Sequence, residues 1–379
     1  MVLRAFRNWG CFIAFLAALS PVSMASPNLE DLNDYAFVAS RQSNDVAVIA
    51  VLDDEVVAKI SLDAIPGQIV VSEKARQLIA THVEEQKVSI VDLDAGKVAT
   101  TIDLGFSPDI LKLEDNLGVI ALGLTGSGKV RLISLDEMSV LASIDDLDPI
   151  SDLMFGRDGQ HLLVAQRNAG KIDLVDVHQG VLVDQIILKD ADIGIRNLIR
   201  TPGGKTGLAL HGESGVLSAL NLDDKVQVGA SRLPGPVFEG FPSANSQYFL
   251  MPNGDAGTMS MVSSWTYQES ERLLAPSSPT GVNFAMFDTI AFAFSHASRN
   301  AMAISLIEDD TPKPTMIPLP GTPETGLTVD AGKKIYVALS DTNQVAVIDA
   351  SKQELVGLID DVGSEPWAIT AAGGLGYCH

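Results

Sequence analysis

The chain has 379 residues, with 26 basic against 48 acidic side chains and a formal net charge of -22. So acidic a surface repels phosphate backbones, which argues against nucleic acid as a partner and suits a basic protein or a cationic ligand. Of the two cysteines, Cys11 lies in the N-terminal segment and Cys378 next to the last residue, so no disulfide is expected in the mature chain.

In chain order, residues 1–25 read as a cleavable signal peptide. Arg4 and Arg7 supply the positive start, Cys11 to Leu19 an apolar run too short to span a membrane, and Ser23-Met24-Ala25 a cleavage site before Ser26. No later stretch is long and apolar enough to cross, so the mature protein is expected to be periplasmic or secreted, without an integral membrane segment. Residues 26–34 follow as a linker.

From Tyr35 onward one hydrophobic motif recurs. Val46-Ala-Val-Ile49, Val88-Ser-Ile-Val-Asp92, Ile172-Asp-Leu-Val-Asp176 and Val345-Ala-Val-Ile-Asp349 are its clear copies, with weaker ones near Val130, Val216, Met259 and Met302. Successive anchors lie 42–44 residues apart. A period of that length, made of short strands and turns, is what a β-propeller shows with one blade per repeat. Within a unit, Tyr35 to Ser40, Val46 to Leu52 and Val56 to Ile60 read as strands. A Pro-led segment then begins the next blade at Pro66, and its type returns at Pro108, Pro149, Pro236, Pro279, Pro323 and Pro366, with Ile193 to Ile199 filling the one gap.

The chain thus opens on the second strand of a blade and ends on a first strand, Pro366-Trp-Ala-Ile-Thr370. The expected fold is an all-β propeller over residues 35–372, eight four-stranded blades closed between N- and C-terminal strands, with 373–379 as a tail. Seven blades is the alternative if 248–289 is an insertion rather than a degenerate blade. Cys378-His379 lacks the rest of a Cys-x-x-Cys-His haem-attachment motif and reads as part of the tail.

Tyr336-Val-Ala-Leu339, Val345-Ala-Val-Ile-Asp349 and Pro366-Trp-Ala-Ile369 carry a likeness that Phe37-Val-Ala-Ser40 and Pro66-Gly-Gln-Ile-Val-Val71 echo. In these the chain resembles the YVTN-type β-propeller repeat proteins. It is more distantly similar to amine dehydrogenase heavy chains and the d1-haem domain of nitrite reductases. The resemblance implies the fold and an extracytoplasmic location; it implies no single activity and transfers no catalytic residue.

Function is expected on the face where loops between second and third strands meet loops entering each innermost strand. Phasing the repeats puts Ser40-Arg41, His82, Arg167, His211, His296 and Arg299 there. The inter-blade loops add Asp63, Asp103, Asp145, Asp148, Asp190, Asp192, Asp360 and Asp361. Of these, Arg41, His82, Arg167, His211, His296 and Arg299 form the expected ligand-binding rim. Histidine can ligate metal or move protons near neutral pH, but turn positions also collect polar residues without function.

Gly123-Leu-Thr-Gly-Ser-Gly-Lys129 has the spacing of a phosphate loop. However, Val130 stands where Ser or Thr should reach Mg²⁺, and the repeat places it in a hairpin. No nucleophile elbow, His-Glu-x-x-His or calcium loop occurs. Trp265 and Tyr267 fall in the most divergent unit.

The reading is therefore a monomeric binding or scaffold propeller for a partner protein or small ligand, with no cofactor or metal expected. One alternative is a periplasmic redox protein or subunit using haem or a quinone-bearing partner. The other is a lactonase-like hydrolase with a metal held by rim carboxylates.

Overall fold

In the computed structural model, which describes residues 29–189, 193–307 and 313–373, the chain forms eight four-stranded antiparallel sheets. The expected leader, Asp190, Asp192 and Cys378-His379 lie outside the described residues. Blades are numbered here by their innermost strands: Pro366–Thr370 (blade 1), Ile69–Ser72 (2), Ile110–Glu114 (3), Ile150–Phe155 (4), Asn197–Arg200 (5), Phe241–Pro242 (6), Gly281–Ala285 (7) and Pro323–Val329 (8). Each of these packs against its two neighbours in that order, and blade 8 returns to blade 1. The ring is an eight-bladed propeller, not a seven-bladed one.

The segment 248–289 is no insertion. Tyr248–Pro252, Thr258–Ser263 and Glu269–Leu274 complete blade 6, whose innermost strand is two residues long, and Gly281–Ala285 opens blade 7. Gly123 to Lys129 joins two antiparallel strands, Val119–Gly123 and Val130–Ser134, as the repeat phase requires.

Burial explains the sequence pattern. Second and third strands lie between adjacent blades, so both faces are covered and the sequence runs apolar without alternation, as at Val119–Gly123. Fourth strands have solvent on one side, and Lys97–Asp103 and Val226–Arg232 alternate strictly between exposed and half-buried. In seven of the eight blades a bulge interrupts the pairing of third and fourth strands; blade 7 lacks it. Bulges increase local twist, which suits a blade that must fan outward.

Closure is made in blade 1, where Phe37, Val38 and Ala39 pair antiparallel with Thr370, Ile369 and Ala368. Residues 29–34 dock rather than dangle: Leu29 and Leu32 are buried in the core shared by blades 1 and 2.

Side chains also sew blade 8 to blade 1. The buried Tyr336 hydroxyl donates to Asp54 Oδ1 at 2.5 Å, and Lys334 Nζ lies 2.8 Å from the same oxygen. Burial, and then the Asp54 carboxylate, hold the Tyr336 phenol well above its ordinary pKa, so it stays a donor. Replacing Tyr336 with Phe keeps the packing and removes the bond. The expected loss is about 1–2 kcal/mol in urea-induced unfolding; an unchanged midpoint would show that the hydroxyl does not tie the seam.

Candidate functional site

Six blades end the second strand with a buried polar residue: Ser40, His82, Gln166, His211, Asn253 and Ser295. Four of these hold the loop that enters their own blade's innermost strand. Ser40 Oγ donates to the Val362 carbonyl at 2.9 Å and Ser295 Oγ to that of Ser277 at 2.6 Å. His82 Nδ1 lies 3.0 Å from the Ile65 carbonyl, and His211 Nδ1 lies 3.1 Å from that of Ile193. A carbonyl can only accept, so Nδ1 carries the proton in both rings. Each Nε2 then accepts from a serine seven residues on, Ser89 at 2.8 Å and Ser218 at 3.0 Å.

Gln166 and Asn253 make the same seven-residue reach, to Asp173 at 2.5 Å and Ser260 at 2.8 Å. These are polar ladders inside the blades. They satisfy buried groups that would each cost about 1–3 kcal/mol if left bare; Gln166 Oε1 is left without a partner among the described residues.

His82 and His211 therefore offer no open ring nitrogen to a ligand. Arg167 stands half-buried at the turn of blade 4, across the ring from the other rim cations.

Two of the remaining three converge. Arg41 of blade 1 and His296 of blade 7 both reach the start of blade 8's innermost strand, while Arg299 of blade 7 reaches the turn between blade 8's second and third strands. Glu324 is the hub, with its side chain only 13% exposed. Its Oε2 lies 3.3 Å from Arg41 Nη2, and its Oε1 lies 3.7 Å from His296 Nδ1 and 2.8 Å from Ser340 Oγ. The Arg41 guanidinium also sits over the Trp367 ring, 5.2 Å from its centroid, a cation–π arrangement. Thr325 Oγ1 donates to the Trp367 carbonyl at 2.7 Å. Beside this, Arg299 pairs with Asp341, whose carboxylate is held below the usual range chiefly by the Thr322 backbone N–H.

Sequence phasing missed Glu324 and Trp367 as members of this cluster. Both sit in bulges of adjacent innermost strands, where register shifts between Pro323 and Gly326 and between Ser40 and Ala39. A bulge re-aims a side chain away from the blade interface, here toward the mouth of the channel. Trp367 Nε1 is buried and makes no hydrogen bond among the described residues.

The inter-blade aspartates are mostly engaged. Asp145 pairs with Arg131, Asp148 with Lys171 and Asp361 with Lys59, and Asp360 accepts from Gln344. Trp265 is exposed on the outer part of blade 6, away from the mouth. On the opposite face His161 bridges Asp158 and Lys225 at 2.8 and 3.3 Å, beside a niche with room for about one water.

No protein-family model matches the sequence, and no curated protein matches it. Among solved structures, the chain is similar to the dihydro-haem d1 dehydrogenase NirN in complex with DHE, at a TM-score of 0.76 and 14% identity over 91% of this chain and 77% of that one. It is similar to apo AztD from Citrobacter koseri at a TM-score of 0.68 and 19% identity, covering 90% of this chain and 99% of that. Hydrazine synthase from Kuenenia stuttgartiensis follows at a TM-score of 0.52 and 16% identity, covering 78% and 86%. At such identities the likeness is one of fold, and the propeller kinship expected from the repeat is present at that level.

The division between ladder and rim histidines has a direct consequence. His82→Ala strands a carbonyl and a hydroxyl, and should cost about 2–3 kcal/mol. His296→Ala, at an exposed turn, should stay within about 0.5 kcal/mol of wild type. Equal losses in chemical denaturation would contradict the division.

Proposed function

We propose that this is an exported binding propeller that takes a small ligand or a partner protein at the channel mouth spanned by blades 7, 8 and 1. The observation that carries this reading is the convergence on Glu324 of Arg41, His296 and Ser340, with Trp367 under the guanidinium. Elsewhere on the same face, His82, Gln166, His211 and Asn253 at the strand ends are buried in ladders. Here the polar groups stay within reach of solvent: the Arg41 and His296 side chains are each about half exposed. An arginine stacked on an indole and steered by one carboxylate is preorganised, so little ordering entropy is lost when it meets a partner.

The export part of the reading rests on the sequence of residues 1–25, and mature protein beginning at Ser26 in N-terminal sequencing is its expected outcome.

A second reading draws on one further observation. The first solved structure compared is a haem d1 dehydrogenase complex, and His296 Nε2 has no partner among the described residues. A redox role with a bound macrocycle would use His296, since His82 and His211 have both ring nitrogens engaged.

Native mass spectrometry and absorbance of protein purified from its own source test both readings. The binding reading expects a bound species or partner that is lost at least about tenfold in Arg41→Ala/Trp367→Ala, with the thermal midpoint retained. Retention by the double variant would reject that site. Visible absorbance that disappears in His296→Ala would select the redox reading instead.

A further inference from the structure

The face opposite the mouth is built from the hairpins that join first to second and third to fourth strands. The four most exposed large apolar side chains among the described residues all stand on it: Leu52 in blade 1, Trp265 in blade 6, and Phe287 and Ile307 in blade 7. Trp265 is 78% exposed and Phe287 67%. Blade 6 is also the one blade whose hairpins on this face carry no charged side chain, reading Ser243-Ala-Asn-Ser-Gln247 and Ser264-Trp-Thr-Tyr-Gln268.

The fold does not call for an aromatic side chain at 265. Hairpins between third and fourth strands are built alike: a polar side chain ending the third strand accepts N–H groups of the turn, and a residue of positive φ closes the turn four places on. Asp92 with Gly96, Asp176 with Gly180, Asn221 with Lys225 and Asp349 with Gln353 follow this plan. Ser263 with Tyr267 repeats it in blade 6. The place that Trp265 takes is held elsewhere by Asp94, His178, Asp223 and Ser351. Polar residues suit a solvated turn, and an indole left in water there adds little to the core.

Other exposed groups lie beside it. The Ser264 N–H donates to the Gln247 carbonyl at 2.8 Å, which sets the two hairpins of blade 6 side by side. Asp288 of blade 7 accepts from the N–H groups of Ala244 and Asn245, each at 2.9 Å, and so ties the Phe287 turn to the same surface. That turn holds Met286, Phe287 and Asp288 at φ of 50°, 55° and 64°, a run that residues other than glycine rarely adopt. Asn245, Gln247 and Thr266 are exposed among these aromatic side chains. The Gln247 amide, the Thr266 hydroxyl and Asn245 Nδ2 meet no partner among the described residues.

We propose that Trp265, Thr266, Gln247, Asn245 and Phe287 form a surface for a neutral saccharide chain, with one sugar ring stacked on the Trp265 indole. A pyranose has an apolar C–H face that packs on an aromatic plane, and hydroxyls at its edge that pair with amides and hydroxyls. An anionic glycan would meet the field of a protein at -22. A cationic ligand would find Asp288 already occupied by two N–H groups. A protein partner calls for a closed apolar centre within a polar rim, whereas here the aromatic faces are separated by amides and hydroxyls. The surface lies on the face opposite the Arg41 cluster and is independent of it.

Calorimetric titration of the full chain with cellohexaose, maltohexaose, mannohexaose and chitohexaose tests this, with hexagalacturonate as the charged arm. At least one neutral hexasaccharide should bind with a Kd at or below about 1 mM, and hexagalacturonate at least about tenfold more weakly. Trp265→Ala should weaken that saccharide at least about tenfold with an unchanged thermal midpoint. Trp265→Tyr should keep most of the affinity, Gln247→Ala should lose less than Trp265→Ala, and Arg41→Ala should leave it unaltered. No binding of any of the four at millimolar concentration, an unchanged affinity in Trp265→Ala, or hexagalacturonate binding as tightly would each overturn the proposal. A protein from the native source retained by wild type and lost in Trp265→Ala, with no saccharide bound, would overturn it in favour of a protein-docking surface. Loss in Arg41→Ala with Trp265→Ala unaffected would overturn it too, while keeping the mouth of blades 7, 8 and 1 as a binding site.

Discussion

The pairing of Phe37, Val38 and Ala39 with Thr370, Ile369 and Ala368 is the contact on which the rest of the molecule depends. An open ring of eight blades would expose two apolar blade faces and an unpaired strand edge, a hazard for aggregation. Joining the ends within one blade removes both. It also fixes the mouth, because Trp367 belongs to the C-terminal strand, Arg41 to the turn after the N-terminal one, and Glu324 to the blade before the seam. The groups that gather at the mouth are thus brought together by closure, from positions 41, 324 and 367 of the chain.

Within the blades, the hydrophobic core alone leaves the loops entering the innermost strands untethered. Polar ladders do that work, through Ser40, His82, His211 and Ser295. A propeller core is packed from nearly interchangeable apolar strands, so register has to be specified by something directional. A histidine donating to a carbonyl and accepting from a serine has only one satisfied position. The same logic divides the rim: polar groups that fix loops are buried, and the remaining ones are displaced onto bulges and turns.

Much of the fold was legible in the sequence because each blade is a repeat of the same physical problem. The spacing of Val46, Val88, Ile172 and Val345 and the Pro-led strands were enough to count eight blades and find the shared one. Even blade 6, with a two-residue innermost strand, kept the period. The site was less legible. Phasing put His82, His211 and His296 at like points on one rim, but their burial separates them, and burial depends on which side of a hairpin end a ring turns. The i, i+7 spacing from histidine to serine was a signal available in the sequence, visible at His82–Ser89 and His211–Ser218. Glu324 and Trp367 had no such signal. Each sits in a bulge, a local shift of register between the first and second strands of its blade, and the repeat spacing does not reveal which blade carries one.

The rim histidines are of two kinds: His82 and His211 are buried and tether loops, and His296 stands exposed at a turn. Modification of the native protein by diethyl pyrocarbonate, read residue by residue by mass spectrometry, measures this directly. His296 should react rapidly, and His82 and His211 should be protected until the protein unfolds. Reaction of His82 or His211 at the rate of His296 in the folded protein would contradict the account.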